Sequence, residues 1–386
     1  MDRAQCPVCE GARTTPFFRI ERLPVSCNHL CSSRGAALSE PTAAITLGFC
    51  PDCGHVFNIE YDSTQLTYGP GYENSLRGSD KFRKYDDALV DSLVQRYHLY
   101  GRVIVEIGCG RGQFLRALCE RGANSGIGFD PSYCSQGEGA NGTSVVIRPE
   151  VYGSLHKDLR AEFICSRHTL EHVGDPRAFL SNIRQETTAV GIPVFFEVPN
   201  GLYTLRDGGI WDIIYEHCSY FTSSSLARVF REAGYEPVEV ADAFAGQFLA
   251  MHARTQACRQ EGGPTATPGL DTLIGSFAQR YHSILSHWAR KLLKLESEGR
   301  RVVVWGAGAK TTTFLNLLRP GAIDYVVDVN PRKHGKYVIG TGQRIVPPEF
   351  LREYPADDII CMNPNYLDEI ASQARAVGSC ANFISA

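Results

Sequence analysis

The chain has 386 residues, more than one hydrophobic core usually holds, and this length predicts two or three domains. Its hydrophobic and charged fractions of 43% and 21% are those of a globular protein, and a net charge of −3 gives no general attraction to nucleic acid or to an anionic membrane. No apolar run reaches the ~18 residues of a membrane span, and the first residues lack a charged-then-apolar signal. We expect a cytoplasmic protein with a small-molecule substrate and neither a nucleic-acid nor a membrane partner.

Two Cys-x-x-Cys pairs near the front of the chain, Cys6/Cys9 and Cys50/Cys53, have the spacing of a structural zinc site. Each pair places two thiolates on a tight turn, and four thiolates complete a tetrahedral site with no position left for water. We predict that Zn²⁺ binds here and stabilises a module at residues 1–65 whose own core is too small.

Three nearby residues are predicted to take no part in that zinc site. Cys27 and Cys31 lie between the two pairs without a turn of their own, so we expect free thiols. His55 follows the second pair and is predicted to lie at the surface.

The stretch Val103–Phe114 predicts a strand, a glycine turn and the start of a helix. Alternating apolar residues indicate a buried strand, and glycines at positions 108, 110 and 112 allow a tight turn beside a ligand. Apolar residues at helical spacing follow. This order is typical of the first β–turn–α unit of a doubly wound α/β sheet, which binds its ligand at the carboxyl end of the strand.

Two details favour a methyl donor over a dinucleotide at this turn. Glu106 stands just before the glycines, where a carboxylate attracts an ammonium group and repels a pyrophosphate. The loop also reads Gly-x-Gly-x-Gly rather than the Gly-x-Gly-x-x-Gly of dinucleotide sites. A second strand ends in Asp130, about 20 residues on, where it can accept ribose hydroxyls. The pattern resembles the class I S-adenosylmethionine-dependent methyltransferases, which implies that Glu106, Gly108, Gly110 and Asp130 hold the cofactor. A Rossmann unit with another ligand is the alternative.

Further strands are predicted at residues 144–147, from residue 163 and at 193–198, with helices at 80–97 and 176–186. Class I methyltransferases, which the chain resembles, often carry a similar His-Thr-Leu-Glu-His loop beside cofactor and substrate. This places His168 near the methionine end and His172 near the substrate; alternatively, either caps the next helix. Tyr72 belongs to a packed linker or to a lid that reaches over the cofactor.

The stretch Trp211–Thr222 follows the fifth strand and is predicted to fold back over the mouth of the pocket. His217 has a carboxylate neighbour, Glu216, and is a candidate base. A helix is predicted to begin after Thr222, capped by it or by Ser223.

A second strand, glycine turn and helix follow a linker at 256–270 and a long helix at 270–298. Taken alone, Gly306, Gly308 and Asp328 form a dinucleotide fingerprint. The alternative is a domain that grips the nucleotide part of a substrate, with Lys310 and loop amides at the pyrophosphate.

Three motifs in the same order resemble the sugar C-methyltransferases that act on nucleotide-linked keto-deoxysugars. Glu216–Phe221 matches their Glu-His-x-Ser-Tyr-Phe motif, Gly306–Lys310 matches Gly-Ala-x-Ala-Lys, and Asp328–Tyr337 matches Asp-x-Asn-Pro-x-Lys-x-Gly-Lys-Tyr. The resemblance spans essentially the whole chain. One departure is that the family often reads Tyr-His-Glu-His where this chain reads Ile214–His217, which bears on the identity of the substrate.

The resemblance implies carbon methylation through an enolate. His217 would remove a proton next to a ketone, Glu216 would orient it, and Tyr215 or Tyr220 would donate a hydrogen bond to the enolate oxygen. The zinc would lie away from the reacting carbon. The predicted substrate-binding residues are Asn200, Gly306, Gly308, Lys310, Asp328 and Lys333, and His172 completes the catalytic set.

We therefore predict an α/β chain in three parts: a zinc-binding module at 1–65, a class I methyltransferase domain at 66–255 and a C-terminal Rossmann-like domain at 256–386. It is expected to be a monomer or weak homo-oligomer. Two other functions stay open. One is O- or N-methylation of another metabolite, and the other is a nicotinamide-dependent oxidoreductase or ligand-binding protein that uses the C-terminal domain.

Overall fold

The computed structural model describes residues 5–66, 68–69, 72–73, 75–134, 144–153, 160–187, 189–257 and 267–386. Most of the predicted linker at 256–270 lies outside the described residues. Within the described ranges, no helix has both the length and the apolar content that crossing a bilayer requires.

Strands and helices alternate over much of the chain. The strands are β1 (Thr15–Pro24), β2 (Thr42–Cys50), β3 (His55–Asn58), β4 (Val103–Ile107), β5 (Ser125–Phe129), β6 (Val145–Arg148), β7 (Phe163–Arg167), β8 (Pro193–Pro199), β9 (Ser219–Tyr220), β10 (Tyr235–Ala243), β11 (Phe248–Thr255), β12 (Val302–Trp305), β13 (Tyr325–Val327), β14 (Arg344–Val346), β15 (Asp358–Cys361) and β16 (Asn382–Ser385). The α-helices are α1 (Arg34–Ser39), α2 (Asp80–Tyr97), α3 (Gln113–Gly122), α4 (Pro176–Glu186), α5 (Gly201–Leu205), α6 (Ser223–Glu232), α7 (Leu270–Ser297), α8 (Ala309–Leu318) and α9 (Leu367–Ala376).

The middle sheet has seven strands in the order β10-β11-β8-β7-β4-β5-β6. The strands from β8 to β6 run parallel, and β11 lies antiparallel to both β8 and β10. Because parallel strands end at one edge, the loops after β4, β5, β7 and β8 lie together there. Helix α4 begins and ends as predicted, and Thr222 caps α6 in a capping box, as predicted. The prediction did not include the hairpin β10–β11.

The C-terminal sheet is parallel, in the order β14-β13-β12-β15-β16. Helix α8 begins directly after β12 and its glycine turn, as the repeated strand–turn–helix pattern predicts. The carboxyl ends of β12 and β13 therefore form a second sheet edge at which a ligand can bind.

The N-terminal sheet is antiparallel, in the order β1-β2-β3-β9. Its fourth strand, β9, comes from the stretch that follows the fifth parallel strand, and Tyr220 pairs with Val56. The segment that carries His217 is thus held by the N-terminal sheet.

One hydrophobic core joins the N-terminal sheet, the segment before β9, helix α7 and the C-terminal sheet. Phe18 packs edge-on against Phe277 of α7, with ring centroids 5.0 Å apart, and Trp211 contacts Phe314 of α8 at 5.0 Å. The N-terminal module therefore shares its core with the rest of the chain.

His55 is fully buried, and this corrects the predicted surface position. Its ring stacks on Phe57 at 5.6 Å and contacts Phe221 at 5.0 Å, with Ser219 Oγ 3.3 Å from Nε2. Burial lowers the pKa of His55 to about 3. The prediction failed because β9 covers this strand, and that pairing is long-range.

Candidate functional site

A cavity of about 760 Å³ opens at the carboxyl ends of both parallel sheets. Its volume is in the range of small-molecule sites. The predicted residues that line it are Tyr72, Glu106, Gly108, Gly110, Asp130, His168, His172, His217, Gly306, Gly308, Lys310, Asp328 and Lys333.

At one end of the cavity, two carboxylates lie beside the loop after β4. Asp130 Oδ2 accepts a hydrogen bond from the Gly110 amide at 2.7 Å, and its Oδ1 accepts one from the Ser132 amide at 2.8 Å. Glu106 is buried, and its Oε2 has no hydrogen-bond partner among the described residues. Burial raises the pKa of Glu106 to about 8. A cationic ligand group would satisfy this carboxylate.

Gly108 and Gly110 form a matched pair for testing this turn. Both have positive φ, 71° and 53°, but a Cβ at Gly108 would lie 2.0 Å from Thr169 Oγ1, whereas one at Gly110 meets nothing within 4 Å. Left-handed strain costs each alanine variant ~1–2 kcal/mol. We expect Gly108→Ala to lose about 1–3 kcal/mol more because of the clash. Urea unfolding of both variants measures the difference, and equal losses would contradict the close contact.

His168 sits on a network of buried charges after β7. Arg167 donates to Glu197 Oε1 at 2.9 Å through Nε and to Asp86 Oδ1 at 2.6 Å through Nη1, and His168 Nε2 lies 3.1 Å from Glu197 Oε1. Burial opposes ionisation of Glu197, but Arg167 and His168 overcome it and lower its pKa to about 2. Asp175, and neither histidine, caps α4, so the helix-cap alternative for His168 and His172 is wrong.

Two histidine rings contact each other in the wall of the cavity, between the loops of the seven-stranded sheet and those of the C-terminal sheet. The rings of His172 and His217 are 5.0 Å apart and nearly perpendicular. His172 Nδ1 lies 3.0 Å from the Glu216 carbonyl oxygen and 3.2 Å from the Tyr68 hydroxyl. Burial, followed by the nearby His172, His168 and Lys310, lowers the pKa of His217 well below its ordinary value. His217 is therefore a neutral imidazole, able to accept a proton.

The structure corrects the role predicted for Glu216. Its buried carboxylate accepts hydrogen bonds from the Cys27 amide at 2.7 Å, from Ser26 Oγ at 2.9 Å and from the Tyr72 hydroxyl at 2.9 Å. None of these bonds goes to His217. Glu216 therefore anchors the N-terminal module and Tyr72.

The structure also corrects the roles predicted for Tyr215 and Tyr220 at the enolate oxygen. Tyr215 is buried, and its hydroxyl accepts a hydrogen bond from the Asp62 amide at 2.9 Å. The Tyr220 hydroxyl donates to the Ile214 carbonyl at 3.4 Å. Neither tyrosine lines the cavity. Their rings belong to the shared core because the pairing of β9 turns them inward.

Asn200 is also corrected. Its Oδ1 caps α5 by accepting from the Leu202 amide at 3.0 Å, and its Nδ2 donates to the Gly246 carbonyl at 3.0 Å. It is buried and does not line the cavity. Asn200 lies between a strand and a helix, and both of its polar groups bond to nearby backbone.

At the other end of the cavity, the loop after β12 repeats the arrangement seen after β4. Asp328 Oδ2 accepts from the Ala307 amide at 2.6 Å, and Lys333 Nζ donates to the Ala307 carbonyl at 2.8 Å. Lys310, in the first turn of α8, forms an ion pair with Asp212. A Cβ at Gly306 or Gly308 would meet nothing within 4 Å, so this turn is open to a ligand.

Several residues that line the cavity were not predicted as site residues: Tyr68, Glu73, Arg111, Glu171 and Asp212. Tyr68 could have been found, because it lies in the same aromatic loop as Tyr72. Glu73 is buried; its Oε2 is 3.5 Å from Arg111 Nη2 and its Oε1 accepts from Asn330 Nδ2 at 3.3 Å, which connects the glycine loop after β4 to the loop after β13. No sequence signal points to this connection.

The four predicted zinc ligands are brought together. Their sulfur atoms lie within 4.8 Å of one another, and both the Cys6–Cys53 and Cys9–Cys50 Sγ distances are 3.6 Å. Tetrahedral Zn–S bonds of ~2.3 Å impose a separation of about 3.8 Å between sulfurs, so the thiolates fit this ion. Cys27 and Cys31 lie outside this cluster and form no disulfide.

Two protein families match this chain, one over most of the seven-stranded sheet and one over the C-terminal sheet. Residues 80–240 match the family described as "Methyltransferase domain", and residues 266–386 match "C-methyltransferase C-terminal domain". C-methyltransferase NovU from Streptomyces niveus is 25% identical over 308 residues, which are 74% of this chain and 72% of NovU. These matches support membership of the S-adenosylmethionine-dependent C-methyltransferases. The chain is a methyltransferase enzyme with the class I fold, as predicted.

Solved structures resemble part of the chain. Magnesium protoporphyrin IX methyltransferase from Synechocystis PCC 6803 is 17% identical and covers 49% of this chain and 91% of its own, with a TM-score of 0.36. The 1,6-didemethyltoxoflavin-N1-methyltransferase from Burkholderia thailandensis is 17% identical and covers 47% and 83%, also with a TM-score of 0.36.

Proposed function

We propose that this C-methyltransferase acts on a nucleotide-linked keto-deoxysugar, with His217 as the base. The observation that carries the proposal is that one cavity is lined by two glycine loops, each with an acid at the end of the next strand. The first loop fits S-adenosylmethionine, since Glu106 Oε2 lacks a partner among the described residues and Asp130 is fixed by loop amides. The second is free for the nucleotide of the acceptor.

A series of close contacts connects the two loops through the histidines. Thr169 lies against Gly108, and Glu171 Oε1 lies 3.8 Å from His168 Nδ1 and 3.9 Å from His172 Nε2. The His172 ring contacts the His217 ring, which lies near the Asp212 backbone. Asp212 then pairs with Lys310. This series supports a reacting carbon placed beside His217.

In the proposed reaction, His217 Nε2 or Nδ1 accepts the proton from the carbon next to the ketone. S-adenosylmethionine, when bound, supplies an electrophilic methyl group. Since Tyr215 and Tyr220 point away, we propose Tyr68, whose hydroxyl lies beside His172, as the donor to the enolate oxygen. His172 is held by the Glu216 carbonyl and orients that hydroxyl.

Solvent isotope exchange tests this function. The full chain is incubated in deuterium oxide with nucleotide-linked keto-deoxysugars, with and without S-adenosylmethionine. We expect exchange at the carbon next to the ketone and, with the methyl donor, a new carbon-bound methyl group in the same position. Transfer to oxygen or nitrogen without exchange would instead support the alternative acceptors.

Glu106 predicts a pH dependence of cofactor binding. Its raised pKa of about 8 means that the free protein holds a proton there at neutral pH, whereas the cationic cofactor requires the carboxylate. We expect the Kd of S-adenosylmethionine to fall about tenfold per unit as the pH rises from about 6 to 7.5. Calorimetry should show one proton released on binding. In Glu106→Gln, we expect weaker binding without this dependence; a pH-dependent Kd in that variant would contradict the assignment.

We predict that Lys310 binds the nucleotide part of the substrate. We expect Lys310→Met to raise the KM for the keto sugar about 10–100-fold, which corresponds to one charge-assisted hydrogen bond, with little change in the Kd of S-adenosylmethionine. The double variant Asp212→Asn/Lys310→Met controls for the broken ion pair. Recovery of the wild-type KM in the double variant would show that Lys310 only neutralises Asp212.

We also propose that Zn²⁺ at Cys6, Cys9, Cys50 and Cys53 is structural. The four sulfurs leave no open ligand position, and none of the four cysteines lines the cavity. The three parts predicted at residues 1–65, 66–255 and 256–386 remain our proposal for the domain division.

A further inference from the structure

A second set of metal-ligand atoms lies in the wall of the cavity. Glu171, His172 and His217 each offer one ligand atom, and these atoms lie within 4.8 Å of one another. Two imidazoles and one carboxylate, with open positions, are the ligand set of many transition-metal sites. We propose that these three residues bind a divalent transition-metal cation, and that the bound cation inhibits methyl transfer by occupying His217. Only the inhibition rests on the proposed function.

The hydrogen bonds of His172 prepare it as a ligand. A carbonyl oxygen can only accept, so His172 Nδ1 carries the proton and donates to the Glu216 carbonyl at 3.0 Å. Its Nε2 therefore holds a lone pair. Metal-binding histidines almost always donate their other ring N–H in this way, which fixes the tautomer and the ring orientation.

Glu171 supplies a buried carboxylate that lacks strong partners. It is 1% exposed, and its Oε2 has no hydrogen-bond partner among the described residues. Its Oε1 lies 3.8 Å from His168 Nδ1 and 3.9 Å from His172 Nε2, which is too far for hydrogen bonds. Leaving a buried carboxylate unsatisfied is costly, and a cation would remove that cost.

His217 completes the set by its position. Its ring lines the cavity and contacts the His172 ring, with the two centroids 5.0 Å apart. The positive charge of Lys310 is paired with Asp212 and so opposes a cation only weakly. Ligand atoms at about 2.1 Å from a tetrahedral ion are roughly 3.4 Å apart, so side-chain shifts of about 1 Å would close the site.

Occupancy of this site has a defined effect on the reaction. The cation takes the His217 lone pair that would accept the substrate proton, and it fills space beside His172. Asp130 and Gly110 belong to the other end of the cavity, so cofactor binding is spared. We therefore expect inhibition to be competitive with the keto sugar and to leave the Kd of S-adenosylmethionine unchanged.

Cobalt(II) titration of the full-length, zinc-loaded chain tests the proposal. Co²⁺ bound by imidazole and carboxylate gives weak visible d–d bands, whereas Co²⁺ on a thiolate adds an intense sulfur charge-transfer band. This separates the proposed site from the cysteine cluster and from His29, Cys31 and Glu40, another group of possible ligands that includes a thiol. We expect one equivalent of Co²⁺ to bind without charge transfer, with a Kd equal to its inhibition constant.

Variants decide the ligand set. Glu171→Gln and His172→Gln should each weaken Co²⁺ binding at least tenfold, while His29→Gln should leave it unchanged. No thiolate-free spectrum, or the same Kd in Glu171→Gln and His172→Gln, would overturn the site. A filled site with unchanged or faster methyl transfer would overturn the inhibition. Failure of the proposed acceptor to react would leave the cobalt spectrum intact, so the two proposals fail separately.

Discussion

Replacement of His217 by glutamine is expected to lower kcat about 10²–10⁴-fold, the contribution of a positioned general base. Glutamine keeps a polar side chain of similar size but accepts no proton, so folding and the Kd of S-adenosylmethionine should change little. The rate of deuterium exchange into the keto sugar should fall by the same factor as kcat, because both begin with the same proton abstraction.

The pH dependence of kcat tests this prediction independently. Because burial, together with the nearby positive groups, lowers the pKa of His217, the ring stays neutral at pH values where an exposed histidine is protonated. We expect the acid limb of kcat to lie well below pH 6.5, the ordinary histidine value, and to disappear in His217→Gln.

His252→Gln is the matched control. His252 is also buried, with a pKa that burial lowers to about 4, but it does not line the cavity and its Nδ1 lies 2.8 Å from the Tyr97 hydroxyl. Its kcat should stay within a few fold of wild type. Normal exchange and turnover in His217→Gln, or an equal loss in His252→Gln, would remove His217 from the role of base.

Removal of zinc is expected to unfold more than the N-terminal module. Cys6, Cys50 and Cys53 belong to a core that also contains Phe221 and Phe230 of the methyltransferase part. Binding free energies of structural Zn²⁺ reach about 10–16 kcal/mol in small peptides. Even a fraction of this, lost from the shared core, should lower the Tm by at least ~10 °C and abolish methyl transfer.

The measurement is thermal unfolding of Cys50→Ser, with metal content determined by mass spectrometry. Cys380→Ser, at an exposed thiol, is the control and should keep its zinc and its Tm. A Cys50→Ser protein that lacks zinc but unfolds at the wild-type temperature would contradict a structural role. Retained activity in the same protein would also show that the module does not hold the His217 segment.

Much of the site followed from local sequence. The glycine turns require residues that adopt positive φ, and the acids Asp130 and Asp328 end the next strand in each half, so both ends of the cavity were predictable. The two Cys-x-x-Cys turns also identified their own ligands. In each case the chemistry is set within a few residues or by one repeated supersecondary unit.

Roles within Trp211–Thr222 did not follow in that way. The short strand β9 pairs with the N-terminal sheet, and this pairing decides that His217 faces the cavity while Glu216, Tyr215 and Tyr220 face protein. Residues 215 and 216 form a turn before β9, so no local periodicity predicts which of these side chains enter the cavity.

The sequence by itself determined the class of fold, the two glycine loops, the cysteine cluster and the histidines to consider. Only the tertiary structure decided that the N-terminal sheet shares one core with the C-terminal sheet and another with the seven-stranded sheet. It also decided that both loops line one cavity and which side chains of the His217 segment enter it. Hydrophobic periodicity and turn chemistry act between near neighbours, whereas these outcomes depend on contacts such as Cys27–Glu216 and Asp212–Lys310, between residues about 100 or more positions apart.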